Sequence, residues 1–394
     1  MYQLLFALHD DVSWLRWLNV LRYTSTRILF ATLTALILSL ILYPWFIRTL
    51  QKIQLGQVVR DDGPKSHLSK RGTPTMGGIV IILASVLGYF AAKLITGQLP
   101  SASAMLLVFL FVGLGTVGFL DDFIKISRQR SLGLRSRAKI IGQTLIAVVF
   151  AVLALSPALA DDRGKTPASH NLSFIRDFDS WALPTVLVVL LIWLIVTGTS
   201  NAVNLTDGLD GMATGASVMV FGAYTLVNIW QNSQSCALQP GGSCYEVRDP
   251  LDLAVVAASI TGACFGFLWW NASPAQIFMG DTGSLALGGA MAGFAIMTRT
   301  ELLLLIIGGL FVAVTLSVMI QVSVFKLSRA SGLFRGIFRV EAGHRVFRMT
   351  PLHHHFEMLE WEQVTIVIRF WIITGLCVAT GLGIFYAEWV AGVG

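Results

Sequence analysis

Residues 183–211 read LPTVLVVLLIWLIVTGTSNAVNLTDGLDG, and no charged residue occurs in this stretch before Asp207. The apolar part, 183–199, is too long for a strand. It lacks the polar–apolar alternation of a half-buried strand or a barrel stave. It is close to the roughly 20 residues that a helix needs to cross a bilayer. The sequence then turns to asparagine and aspartate: Asn201, Asn204, Asp207 and Asp210. A membrane helix that delivers carboxylates and amides to the membrane–water boundary accounts for both halves of the stretch.

Nine more segments of this kind flank it, at 26–47, 77–95, 102–120, 139–157, 211–231, 252–270, 283–298, 302–325 and 365–389. Of the 394 residues 55% are apolar, enough for about ten helices of roughly 20 residues each. Charged residues are 13%, about half the share of a soluble domain. These figures exclude an ordinary soluble enzyme, a disordered chain and a small disulfide scaffold. The expected fold is an all-α polytopic membrane protein with about ten transmembrane helices, forming one domain over 1–394. Residues 1–25 carry Trp14 and Trp17 near Arg16 and Arg22, and are expected to lie at the interface.

The net charge of +6 reflects basic loops, not an affinity for nucleic acid. Loops 48–75, 123–139 and 326–364 carry six Lys or Arg each, against eight on the opposite side of a ten-span map. The basic side is cytoplasmic by the positive-inside rule, so both termini face outward. Cys236 and Cys244 share the outer loop 232–250, where a disulfide is permitted. No C-x-x-C pair suggests a metal framework.

Ionisable residues at the edges of spans are costly and mark candidate sites. Here they gather on the cytoplasmic side. Asp121 and Asp122 close the third span, where a helix C-terminus disfavours carboxylates unless a cation compensates. Asn204, Asp207 and Asp210 are spaced by three, so in a helix they would share one face; N-capping of the sixth span is the structural alternative. Asp281, in Phe-Met-Gly-Asp-Thr-Gly-Ser, stands at the start of the eighth span, where it too could be a cap. Asn271 precedes it across a short loop. His353, His354 and His355 lie in the last basic loop as phosphate partners or proton handlers. The turn Gly72–Gly78, preceded by Lys70 and Arg71, could offer backbone N–H groups to an anion. Gly113-Leu-Gly115-Thr-Val-Gly118 matches a dinucleotide-binding pattern but sits inside an apolar helix, where small residues let helices pack closely.

Oxygen ligands suit Mg²⁺, and cations suit phosphate. Their clustering at one membrane face is the layout for phosphoryl transfer between a soluble pyrophosphate donor and a lipid acceptor. No Walker motif is present. Thr73-Pro74-Thr75-Met76-Gly77-Gly78, Asp121-Asp122, Asn204-Leu-Thr-Asp207-Gly-Leu-Asp210-Gly, Phe278-Met-Gly-Asp281 and Pro351-Leu-His353-His354-His355-Phe-Glu357 closely resemble the motifs of the phospho-N-acetylmuramoyl-pentapeptide-transferase family. That family belongs to the polyprenyl-phosphate sugar-1-phosphate transferase superfamily and makes lipid I in bacteria. The resemblance runs from about residue 26 to 389, and the triple-His form points to the muramoyl-pentapeptide branch.

The resemblance implies transfer from UDP-MurNAc-pentapeptide to undecaprenyl phosphate, with Mg²⁺, in the bacterial cytoplasmic (inner) membrane. It also implies a homodimer among membrane lipids. It implies Asp281 as the metal ligand, Asp121 acting on the lipid phosphate, and Asp122 in support. Lys70, Thr75, Asn204, Asp207, Asp210, Asn271 and Phe278 would bind substrate, with Phe278 stacking on uracil, and His353–His355 would assist. Three rivals stand beside this reading: a sibling enzyme using another UDP-sugar such as UDP-GlcNAc, an ion-coupled transporter, and a non-catalytic lipid-binding scaffold. One departure is the linker Leu327–Arg348, longer than is usual in the family, basic and apolar enough to lie on anionic lipid.

Overall fold

The computed structural model describes residues 23–52, 72–128, 133–238, 240–241 and 244–393. Lys70 and all but the last three residues of the expected interfacial segment lie outside the described residues. Helix α1 (Thr24–Lys52) shows why the bundle suits a bilayer. Ala31, Ala35, Ser39, Tyr43 and Ile47 recur every four residues and are buried. Leu29, Leu33, Ile37, Ile41 and Trp45 recur at the same interval and are exposed. A water-facing helix would carry polar residues on its outer stripe. This one is apolar on both faces.

The chain continues through α2 (Gly78–Thr96), α3 (Ala102–Ser127), α4 (Ser136–Ala154), the antiparallel strands β1 (Asn171–Ser173) and β2 (Asp177–Ala182), and α5 (Thr185–Thr206). Then come α6 (Met212–Ser233), α7 (Pro250–Asn271), α8 (Gly280–Met297), α9 (Leu304–Ile307), α10 (Gly309–Ala330), α11 (Gly332–Phe338), α12 (Leu352–Glu357) and α13 (Gln363–Val393). Among the described residues nine helices are long and apolar enough to cross a membrane. The one expected span outside these nine is the eighth, 283–298, which is α8, and it differs from the others. Every residue from Thr282 to Met297 is buried, against α3, α5 and α2. Its glycines allow this: a Cβ on Gly288 would meet the Ser200 Cα at 2.5 Å, and one on Gly293 the Leu107 Cδ1 at 2.5 Å. The expected span 302–325 is broken at Gly308, between α9 and α10. A Cβ on Gly309 would lie 2.7 Å from the Cys377 Sγ of α13, so the break sits where two helices approach closely.

α3 and α5 end, and α2, α4, α6 and α8 begin, at one end of the bundle. The opposite end carries the β1–β2 hairpin and a Cys236–Cys244 disulfide, so the pairing permitted by the sequence is made.

Candidate active site

Asp121 and Asp122 do not close a helix. α3 runs on to Ser127, and both carboxylates are buried within it. The cation that a carboxylate there calls for is Lys125, one turn further along α3. Its Nζ lies 2.6 Å from Asp121 Oδ2 and 3.6 Å from Asp122 Oδ1. The second Asp121 oxygen accepts the Leu134 N–H at 2.7 Å.

Asp122 caps a different helix. Its Oδ1 accepts the Asp281 N–H (3.1 Å), and its Oδ2 accepts the Thr282 N–H (2.9 Å) and hydroxyl (2.8 Å). Amides at a helix start lack intrahelical partners, and negative charge is favoured there. The cap of α8 therefore comes from α3, and the Asp281 side chain, which makes no cap bond, is left for other partners. Asp281 Oδ1 accepts Asn204 Nδ2 at 2.8 Å, and Oδ2 accepts Lys125 Nζ at 3.0 Å and Lys139 Nζ at 2.8 Å. Asn204 also reaches Ser284 Oγ at 2.8 Å. One ligand oxygen from each of Asp121, Asp122 and Asp281 falls within 4.8 Å of the others, a grouping able to hold a metal ion.

Two glycines make this convergence possible. A Cβ on Gly118 would lie 2.1 Å from the Asp281 carbonyl oxygen, so α3 and α8 meet backbone to backbone beside the carboxylates. Gly280 has φ +73°, and a Cβ there would sit 2.5 Å from Asp122 Oδ2 and 3.0 Å from Thr75 Oγ1. Thr75 thus borders the acidic cluster. The glycine-rich turn before α2 does not present its last amides to an anion as expected. The Gly77 N–H donates to the Phe278 carbonyl (2.8 Å) and the Gly78 N–H to that of Met279 (2.9 Å). The turn instead braces the segment leading to Asp281. Phe278 is half-buried there, its own N–H donating to the Pro74 carbonyl at 2.8 Å.

Asn204, Asp207 and Asp210 do not share a helix face, because α5 ends at Thr206. Asn204 is helical and faces the cluster, Asp207 is the C-cap just beyond α5, and Asp210 lies in the following turn. Nor does either aspartate cap α6, whose cap is Gly211 in the left-handed conformation. Asp210 Oδ2 accepts the Ala275 N–H at 3.2 Å. Asn271 is buried, with Oδ1 accepting the Gly211 N–H (3.1 Å) and the Thr214 hydroxyl (2.9 Å) while Nδ2 donates to the Ile277 carbonyl (2.9 Å). Asp210 and Asn271 therefore lace together the loops that follow α5 and α7. The Asn271 Oδ1 and one of its two N–H groups are used within the protein.

His353 is buried against this turn: a Cβ on Gly208 would meet its Nε2 at 2.2 Å. His354 Nδ1 lies 2.6 Å from Glu357 Oε2. His355 is tied to the preceding linker, accepting the Arg348 N–H on Nδ1 at 3.1 Å. Lys125 and Lys139 were not among the residues singled out from the sequence. The signal for Lys125 was its place four residues after Asp121, on the same helix face; for Lys139, on another helix, none was available.

A family model described as "Glycosyl transferase family 4" matches residues 103–299, which contain Asp121, Asp122, Asn204 and Asp281. "Phospho-N-acetylmuramoyl-pentapeptide-transferase signature 1" matches residues 70–82, the brace that carries Thr75. A phospho-N-acetylmuramoyl-pentapeptide-transferase of Nocardioides sp. is 68% identical over 93% of this chain and 99% of its own length. The chain belongs to the phospho-N-acetylmuramoyl-pentapeptide-transferase family. Relatives of that name from Streptomyces avermitilis and Cutibacterium acnes are 56% and 57% identical, each over 93% of this chain and 99% of its own length. Within this family the bundle is a multi-pass membrane protein whose acidic residues meet at one end.

Proposed function

We propose that the chain transfers phospho-N-acetylmuramoyl-pentapeptide from UDP-MurNAc-pentapeptide to undecaprenyl phosphate, forming lipid I and releasing UMP. The observation that carries this reading is the meeting of Asp121, Asp122 and Asp281 with Lys125, Lys139 and Asn204 at one end of a membrane bundle. A lipid phosphate and a soluble nucleotide can both reach such a place. An oxygen of the acceptor phosphate bonds to the donor phosphorus that bears the sugar, and the bond from that phosphorus to the UMP oxygen breaks. Asp121 takes the acceptor's proton, and Lys125 and Lys139 hold phosphate oxygens by charge-assisted bonds. Asn204 fixes the rotamer of Asp281, and Asp122 fixes the start of α8.

The donor set is all oxygen, which suits Mg²⁺. Three carboxylates against two ammonium groups leave one negative charge, so the residues fit a divalent cation. Asp281 would hold it. When bound, Mg²⁺ neutralises charge on the pyrophosphate. Thr75, Asp207 and Phe278 would line the donor pocket in this reading, with Phe278 against uracil, and the resemblance adds Lys70 as a substrate-binding residue. His353 and His354 approach from α12, while His355 holds the linker. The site faces the cytoplasm, supported by the basic loops on that side, and the enzyme works as a homodimer, as the resemblance implies.

The sibling reading with UDP-GlcNAc is not favoured, since the similar proteins carry the muramoyl-pentapeptide name. A transporter would gather its polar groups near the bilayer midplane, whereas these lie at one end of the helices. The test is UMP release by the purified protein, with and without undecaprenyl phosphate and Mg²⁺. Lipid-dependent release is expected, with near-complete loss in Asp281→Asn; release only from UDP-GlcNAc, or none that depends on lipid, would overturn the reading.

A further inference from the structure

The linker between α10 and α12 has no task in the reaction above, yet it builds a cavity of about 810 Å³. Lys326 and Arg329 from the end of α10, and Arg345 and Arg348 from the linker, line it. Phe325 lies among them, its ring centroid 5.5 Å from Arg329 Cζ and 6.0 Å from Arg345 Cζ. Among the described residues no carboxylate pairs with any of these four cations.

The walls are held by side-chain bonds to the linker backbone. Gln321 Oε1 accepts the Val346 and Phe347 N–H groups at 3.0 Å each, and its Nε2 donates to the Phe347 carbonyl at 3.1 Å. Ser328 Oγ accepts the Gly343 and His344 N–H groups at 3.1 and 3.0 Å. The four cations are exposed, and these bonds brace the linker that gathers them around one cavity. On the same linker, α11 exposes Leu333, Ile337 and Phe338 at 76%, 65% and 61%. Four cations without carboxylate partners, one of them (Arg348) donating to the Met358 carbonyl at 2.9 Å, share a linker with a short helix of bare apolar side chains, an arrangement complementary to a lipid: phosphate in the pocket, acyl chains against the helix.

We propose that this cavity binds the headgroup phosphate of an anionic glycerophospholipid. Such an occupant would bear on the active site. Met349 and Thr350 also line the cavity, and α12 follows directly. The Arg348 N–H bonds His355, and His353 rests on Gly208. A bound phosphate therefore steadies the segment that carries the triple histidine. The binding claim does not depend on the reaction proposed above; it needs only a protein embedded in lipid.

The test is native mass spectrometry of the purified full chain with equimolar phosphatidylglycerol and phosphatidylcholine. A parallel arm replaces phosphatidylglycerol with undecaprenyl phosphate. The wild type should retain phosphatidylglycerol in preference to phosphatidylcholine. Arg329→Gln with Arg345→Gln should lower that preference about 30-fold, from the loss of two cations near the headgroup. Retention of undecaprenyl phosphate should not change. Arg329→Lys with Arg345→Lys should keep most of the preference, which separates charge from packing. Should the Gln variant fail to fold, the wild-type preference must still weaken as ionic strength rises. Equal retention of the two phospholipids by the wild type, undiminished preference in a folded Gln variant, or loss of undecaprenyl phosphate instead would each overturn the proposal.

Discussion

Gly118→Ala tests whether the contact between two helices sets the geometry of the acidic cluster. The added Cβ would lie 2.1 Å from the Asp281 carbonyl oxygen and 2.7 Å from the Thr282 Cα, both backbone atoms that cannot rotate away. Restoring an ordinary contact near 3.4 Å requires α3 and α8 to separate by about 1.3 Å. The bonds from Asp122 to Asp281 and Thr282, now 2.8–3.1 Å, would stretch beyond hydrogen-bonding range. Asp121 and Asp281 would move apart by a similar amount. Misplacement of reacting groups by about 1 Å costs about 100-fold in rate, and overpacking a tight contact costs about 1–3 kcal/mol of stability. The assay is lipid-dependent UMP release alongside thermal unfolding in detergent. Gly113→Ala on the same helix is the control, because the atoms nearest its Cβ belong to the Ile146 side chain, from 3.0 Å, and not to backbone. A folded Gly118→Ala enzyme with activity within about threefold of the Gly113→Ala control would refute the reasoning.

Three further changes probe other parts of the structure. Asp122→Asn keeps the shape but removes the charge that accepts three bonds from the start of α8, so it should cost about 2–3 kcal/mol in stability, read as a lower melting temperature, together with activity. Lys125→Met leaves the carboxylates without an ammonium that now touches Asp121 and Asp281; its melting temperature should fall and should then rise more steeply with Mg²⁺ than that of the wild type. Equal Mg²⁺ responses in the two proteins would count against a cation site there. At the opposite end, burial pushes the Glu301 carboxyl up to about 8 from an ordinary 4.5. The folded state then holds this proton more tightly than the unfolded chain. The contribution is fully present below about 4.5 and is lost as pH rises towards 8. The melting temperature should therefore decline over that window, and Glu301→Gln should flatten the decline.

The membrane architecture was legible because apolar helices of bilayer length announce themselves one by one. Stretch 183–199 needs no partner to be recognised. What the sequence withheld were facts that arise between segments. The span at 283–298 looks lipid-facing by composition, and only its packing against α2, α3 and α5 shows it sheathed in protein. The supporting role of Asp122 is implied by the resemblance alone; its use as the cap of α8 depends on a residue 159 positions away. The three-residue spacing of Asn204, Asp207 and Asp210 suggested one helix face, but the chain leaves the helix at Thr206 and Gly208 admits His353 to within touching distance. Strand β2, Asp177–Ala182, has an ordinary strand length but not the strict alternation that would have marked it.

Lys125 and Lys139 alter the physical meaning of the acidic cluster. At an effective dielectric of about 20, two carboxylates 4.8 Å apart repel by about 3.5 kcal/mol. Three such groups would not stay ionised and close together without compensation. The two ammonium groups supply it, at 3.0 and 2.8 Å from Asp281. The site is thus held together before any metal or phosphate arrives. A divalent cation has to displace or share these contacts, while an incoming pyrophosphate offers the lysines a more highly charged partner. Donor and metal should therefore bind with positive coupling: each lysine drawn onto phosphate frees a carboxylate oxygen for the cation, and each oxygen taken by the cation frees a lysine for phosphate. An arrangement of carboxylates alone would bind the cation well without substrate and gain little from its arrival. In the proposed reaction the lysines, which entered the sequence reading only among the basic loop residues, would tie the two binding events to one another.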